Sequence, residues 1–214
     1  MPSRPSSRNS FSTLRRFARQ AQESRAQHQC ELCSVSLPSA HQHLLDLSNR
    51  QLICSCQACT LLFSEQTAKY HPIPWQSHAL PDFQMSDTEW ESLAIPISLA
   101  FLYYDSAVAK MMAMYPSPAG ATQSLLSLET WETLVANNPV LQRMTPDVEA
   151  LLVNRVKGQS NYYLVPIDEC FKLVGLIRIY WRGLSGGSEV WQEIGRFFTD
   201  LNKKARILTE KSRA

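Results

Sequence analysis

The stretch Cys30–Cys59, CELCSVSLPSAHQHLLDLSNRQLICSCQAC, decides how this chain is read. It holds five of the six cysteines and two of the five histidines, His41 and His43. Cys30/Cys33 and Cys56/Cys59 form two Cys-x-x-Cys knuckles separated by the length of one β-hairpin. The short spacing lets both sulfurs of a knuckle face one ion, and two such pairs make a tetrathiolate set. His41–Leu47 reads as a strand, Ser48-Asn49-Arg50 as a turn and Gln51–Cys54 as the return strand. A short apolar helix over Thr60–Phe63 follows the second knuckle. The expectation is a zinc-ribbon or treble-clef-like module over residues 28–66. So small a unit buries too little apolar surface to fold alone, and metal ligation supplies the difference.

Zinc is the default ion. Iron or an iron–sulfur cluster is the alternative, weakened because Ser34 and Thr60 stand where rubredoxin-type knuckles carry glycine. Cys54 exceeds the need for four thiolates. It could replace Cys56, pack under the site, react as a free thiol or help hold a cluster. His41 and His43 share a strand face and are further candidate ligands. The knuckles also resemble the frame of HNH nucleases, but the helix after Cys59 carries no histidine.

Outward from this stretch, 214 residues with 44% hydrophobic content suffice for one domain plus a small module. The clustered cysteines and the absence of a secretory pattern at the start point to a reducing, cytoplasmic setting. The apolar run Ile95–Tyr104 is too short to span a membrane. The net charge of +2 hides a segregation, since residues 1–27 carry six Arg against one Glu and the tail is also basic. Basic ends allow contact with nucleic acid. Arg50 is the one basic residue between Cys30 and Cys59, which argues against the module itself reading nucleic acid.

The domain plan is a basic arm with a short amphipathic helix (1–27), the metal module (28–66), a Pro-rich extended linker (67–84), an α+β domain (85–207) and a basic tail (208–214). In the α+β domain, Ser86 and Ser127 begin helices. Hairpin strands are expected over Ile97–Tyr104 and Val108–Tyr115, then a rigid loop at Pro116–Gly120. A second strand pair covers Val148–Val156 and Tyr162–Val165. Phe171–Trp181 is rich in β-branched and aromatic residues. Its polar positions nevertheless recur every three or four residues, which makes it a helix. A last helix runs over Ser188–Ile207. The fold class is therefore α+β, an antiparallel sheet packed with helices behind a cysteine module.

Gly183–Gly187 matches G-x-S-x-G, but no histidine follows His78 to serve as its base, so it reads as a helix–helix turn. Asp168 and Glu169 could pair as acid and base, yet they start a helix and complement its dipole. Cys170 reads as a small core residue. No credible catalytic set emerges, and a non-enzymatic protein is expected.

The runs HLLDLSNRQLICSCQACTLLF (43–63), YPSPAGAT (115–122), PDVEALLVNR (146–155) and PIDECFKLVGLIRIYWRGLSGGSEVW (166–191) carry a further likeness. In them the chain resembles an uncharacterised family encoded in nickel–iron hydrogenase gene clusters, notably those for actinobacterial-type high-affinity enzymes. The resemblance covers about Leu14 to Ala205. It implies an accessory protein for hydrogenase maturation or assembly that meets a hydrogenase subunit or maturation factor. It supplies no catalytic residues. A nucleic-acid-binding regulator and a small electron carrier are the alternatives.

Overall fold

The knuckle–hairpin–knuckle order of the cysteine stretch is followed by its backbone. The computed structural model describes residues 28–66, 69–124, 126–183 and 185–209. The expected helix in the basic arm and the end of the tail lie outside the described residues. Strands β1 (Gln42–Asp46) and β2 (Gln51–Ser55) pair antiparallel through the turn at Ser48–Arg50. Asp46 closes that turn by accepting from the Ser48 backbone N–H at 2.9 Å. Helix α1 (Gln57–Gln66) starts inside the second knuckle and is longer than its apolar core suggests.

The proline-rich segment after the module is extended, and it also contributes strands. β3 (Tyr70–Pro72) pairs with β1 and completes a three-stranded sheet in the order β2-β1-β3. β4 (His78–Ala79) then pairs with the large sheet of the body. Pro72 is tolerated because β3 is a short edge strand that needs few N–H donors. The segment thus straps the module to the body.

Helix α2 (Asp87–Ser92) opens with a capping box, in which Ser86 and Glu89 satisfy each other's backbone N–H groups. Strands β5 (Leu99–Asp105), β6 (Lys110–Ser117) and β7 (Gly120–Ser124) form a meander. The rigid loop expected at Pro116–Gly120 is instead the end of β6, a turn at Pro118–Ala119 and the first residue of β7, a strand the sequence does not announce. Its sequence GATQS carries no apolar alternation, and Gly120, at φ 128°, makes the turn. Helix α3 (Leu128–Asn137) is capped by the Ser127 hydroxyl. β8 (Glu149–Asn154) and β9 (Asn161–Pro166) pair antiparallel. Helix α4 (Ile167–Tyr180) follows directly, then α5 (Gly187–Lys204), and β10 (Arg206–Ile207) ends the fold parallel to β4. The large sheet has the order β10-β4-β9-β8-β5-β6-β7, and it is mixed rather than antiparallel throughout, because β10 comes off α5 running parallel to β4.

Successive residues of the central strands point to opposite faces, and both faces are covered. Phe101, Leu152 and Val165 pack with Cys170, Leu173 and Ile177 of α4 and Val190, Ile194 and Phe198 of α5. Leu102, Leu151, Val153 and Leu164 pack on the other side with Leu80, Phe83, Leu134 and Leu141. Burial on both sides explains why β8 reads as a continuous apolar run rather than an alternation. On α4, Lys172 and Arg178 face outward, as the polar stripe requires. Leu45 of β1 and Ile73 join the first of these cores, so the module and body share apolar packing. No helix among the described residues is long and apolar enough to cross a membrane.

Candidate metal centre

The first knuckle is built by backbone hydrogen bonds. The Cys30 N–H donates to the Val35 carbonyl at 2.8 Å, and the Ser34 N–H donates to the Cys30 carbonyl at 2.7 Å. Ser34 sits at φ 62°, the left-handed region that knuckles commonly give to glycine. The second knuckle is the start of α1, where the Cys59 N–H points at Cys56 Sγ at 3.4 Å. An N–H group directed at sulfur, and a helix N-terminus beneath it, complement a metal-bound cysteine.

The hairpin brings the knuckles together. The Glu31 N–H donates to the Cys54 carbonyl at 2.9 Å, and Glu31 Oε1 accepts from the Cys54 N–H at 2.8 Å. The ligand atoms of Cys30, Cys33, Cys56 and Cys59 all lie within 4.8 Å of one another. Cys33 Sγ and Cys56 Sγ are 3.8 Å apart. A tetrahedral ion with metal–sulfur bonds of about 2.3 Å separates its sulfurs by roughly 3.75 Å. The four-cysteine cluster can therefore chelate a metal ion with little rearrangement. Four protein ligands fill a tetrahedral shell, which is the arrangement of a structural rather than a catalytic ion.

The thiols are electrostatically unequal. Burial works against ionising Cys30, but the backbone N–H groups of Cys56, Leu32 and Cys33 outweigh it and bring the thiol to about 6. Burial, with the neighbouring cysteines, pushes Cys59 up. Metal ligation releases the thiol protons that remain, so binding is coupled to pH.

The other candidates fall elsewhere. Cys54 and His41 lie with His28 in a second group, whose ligand atoms are also within 4.8 Å of one another. His28 carries no spacing signal, since it precedes the first knuckle on a stretch without periodicity. His43 turns to the body, where its Nδ1 is 2.9 Å from Asp168 Oδ2. Burial opposes ionisation of Asp168, but the bond to His43 and the charge of Lys172 hold the carboxyl below its ordinary range, so the ring nitrogen donates. Glu169 is held by Lys172 at 3.0 Å and Lys204 at 2.8 Å. The two carboxylates at the start of α4 are thus committed to ion pairs. Cys170 is fully buried in the core. Gly183–Gly187 joins α4 to α5, and Trp181 Nε1 donates to the Gly183 carbonyl at 2.9 Å.

Arg50 also has a role that its isolation in the sequence conceals. From the hairpin turn it reaches Asp147 Oδ1 at 2.6 Å and pairs with Asp105 as well. The module is thus pinned to the body at both ends of β1.

No curated protein and no solved structure matches the chain. A family model does match, over residues 29–205, from the residue before the first knuckle to the end of α5. On that coverage the chain belongs to DUF5947, a family of unknown function.

Proposed function

We propose that the protein is a non-enzymatic, metal-binding accessory protein. A zinc ion on Cys30, Cys33, Cys56 and Cys59 sets the module, and the module and body together present a surface to a protein partner. The observation that carries this reading is the convergence of four sulfurs from two knuckles, with Cys33 and Cys56 at tetrahedral separation. A saturated thiolate shell suits a structural ion and leaves no site for substrate. Leu61 and Leu62, exposed on α1, give the module apolar surface for such a contact.

The resemblance to proteins encoded beside nickel–iron hydrogenases supplies the context. The proposed partner is a hydrogenase subunit or maturation factor, met in a reducing cytoplasm during assembly. The test is affinity capture with the zinc-loaded full chain from cells that express the neighbouring hydrogenase genes. Recovery of a hydrogenase subunit or maturation factor, lost when Leu61 and Leu62 are changed to Ser, is the expected result. Capture of none of them by zinc-loaded protein would overturn the accessory role. A visible spectrum on the same sample separates the ions, because a zinc tetrathiolate is colourless and an iron one is not.

A further inference from the structure

The second group of ligand atoms lies apart from the tetrathiolate set and has a geometry of its own. His41 Nδ1 is 2.9 Å from the Pro38 carbonyl oxygen. A carbonyl can only accept, so Nδ1 carries the proton and the lone pair of the neutral ring sits on Nε2. That Nε2 is buried and has no hydrogen-bond partner among the described residues. An imidazole oriented by a carbonyl through one nitrogen, with the other left bare, is the usual setting of a metal-binding histidine. A buried polar atom without a partner otherwise carries a desolvation cost with nothing to offset it.

The bare nitrogen has companions of the right kind. A ring nitrogen of His28, one of His41 and Cys54 Sγ lie within 4.8 Å of one another. Around an ion with bonds of about 2.0–2.3 Å they would sit roughly 3.3–3.8 Å apart. An adjustment of about an ångström closes that gap, and exposed His28 can supply it. Cys54 is anchored through its backbone to Glu31, so one leg of the site is fixed.

All three residues line a cleft of about 510 Å³, together with His43, Trp75 and Asp168. The ring centroids of His41 and His43 are 4.9 Å apart, so the His43–Asp168 pair borders the same space.

We propose that His28, His41 and Cys54 form a second transition-metal site, distinct from the tetrathiolate, whose fourth position opens on this cleft. Two neutral imidazoles donate lone pairs, and Cys54 binds as thiolate, releasing its thiol proton to solvent. The donor set suits thiophilic borderline ions such as Zn2+ and Co2+. Three protein ligands and one position for water or a small anion describe an exchangeable ion rather than a structural one.

The experiment is anaerobic titration of the reduced, metal-free full chain with Co2+, read by stoichiometry and visible absorption. Two Co2+ per chain are expected. His28→Ala, His41→Ala and Cys54→Ser each bind one and keep the tetrathiolate's sulfur-to-cobalt absorption. Cys33→Ser loses that absorption and still binds one ion. The exposed His28→Ala variant, with an unfolding midpoint like that of the parent, guards against loss of fold. One Co2+ per chain with tetrathiolate absorption, or two retained by both His41→Ala and Cys54→Ser, would overturn the second site. One Co2+ per chain that Cys33→Ser leaves unchanged would uphold it while removing the tetrathiolate reading.

Discussion

Arg50 Nη1 donates to Asp147 Oδ1 at 2.6 Å across 97 residues of sequence. Asp147 is fully buried at its side chain, whereas Arg50 is 29% exposed. The pair locks the tip of the β1–β2 hairpin against the start of β8. Removing one partner of a buried pair leaves an uncompensated charge, which costs about 3 kcal/mol. Arg50→Ala is expected to destabilise the protein by roughly that amount in urea unfolding. Arg50→Lys should recover part of it, since it keeps the charge and loses the fork that reaches Asp147 and Asp105.

The same carboxylate makes stability depend on pH. Burial raises the Asp147 carboxyl, but the Ser106 hydroxyl and backbone N–H and the Arg50 guanidinium more than offset this and hold it below its ordinary value of 3.8. A carboxyl lower in the folded than in the unfolded chain contributes stability that is complete above the unfolded value. That stability is lost as pH falls through the folded value. Unfolding free energy should therefore decline as pH drops below about 4. Asp147→Asn should be less stable at neutral pH and show a shallower acid decline. An unchanged acid profile in that variant would remove Asp147 from the account.

Metal removal should act on the module before the body. Ligation free energy in small thiolate modules is roughly 10 kcal/mol or more, and it is folding free energy. A strong chelator, which strips metal from the whole module, is expected to expose β1, β2 and α1 to amide hydrogen exchange. β5, β8 and β9 should stay protected, because their cores are closed by α4, α5 and the opposite apolar layer. Loss of protection throughout would mean that the module and body unfold as one unit.

The helix–helix turn offers a steric test. Gly186 has φ +86°, and a Cβ there would meet Val190 Cγ1 at 2.9 Å and the Trp181 ring at 3.1 Å. Gly186→Ala should cost about 2 kcal/mol, from overpacking added to left-handed strain. Gly183, at φ +62°, has open space around its Cβ position, so Gly183→Ala should cost only the backbone share, about 1 kcal/mol. Equal effects in thermal unfolding would contradict the packing.

Much of the architecture is written locally. The polar positions of α4 recur at helical intervals, the Ser86 and Ser127 caps lie three residues from the N–H groups they satisfy, and the cysteine knuckles close within a few residues. Periodicity and capping are properties of a short window, so the sequence displays them. β4 and β10, of two residues each, are too short to carry a period. β7 has no apolar face to betray it.

By itself, then, the sequence determined the hairpin between two Cys-x-x-Cys pairs, the four-cysteine cluster and the α+β class, because ligand spacing and hydrophobic period act over neighbouring residues. Only the tertiary structure decided that Arg50 meets Asp147, that His43 meets Asp168, and that His28, His41 and Cys54 converge. The His43–Asp168 contact joins residues 125 apart. Its register depends on how module and body share the core at Leu45 and Ile73, and no local pattern encodes that packing.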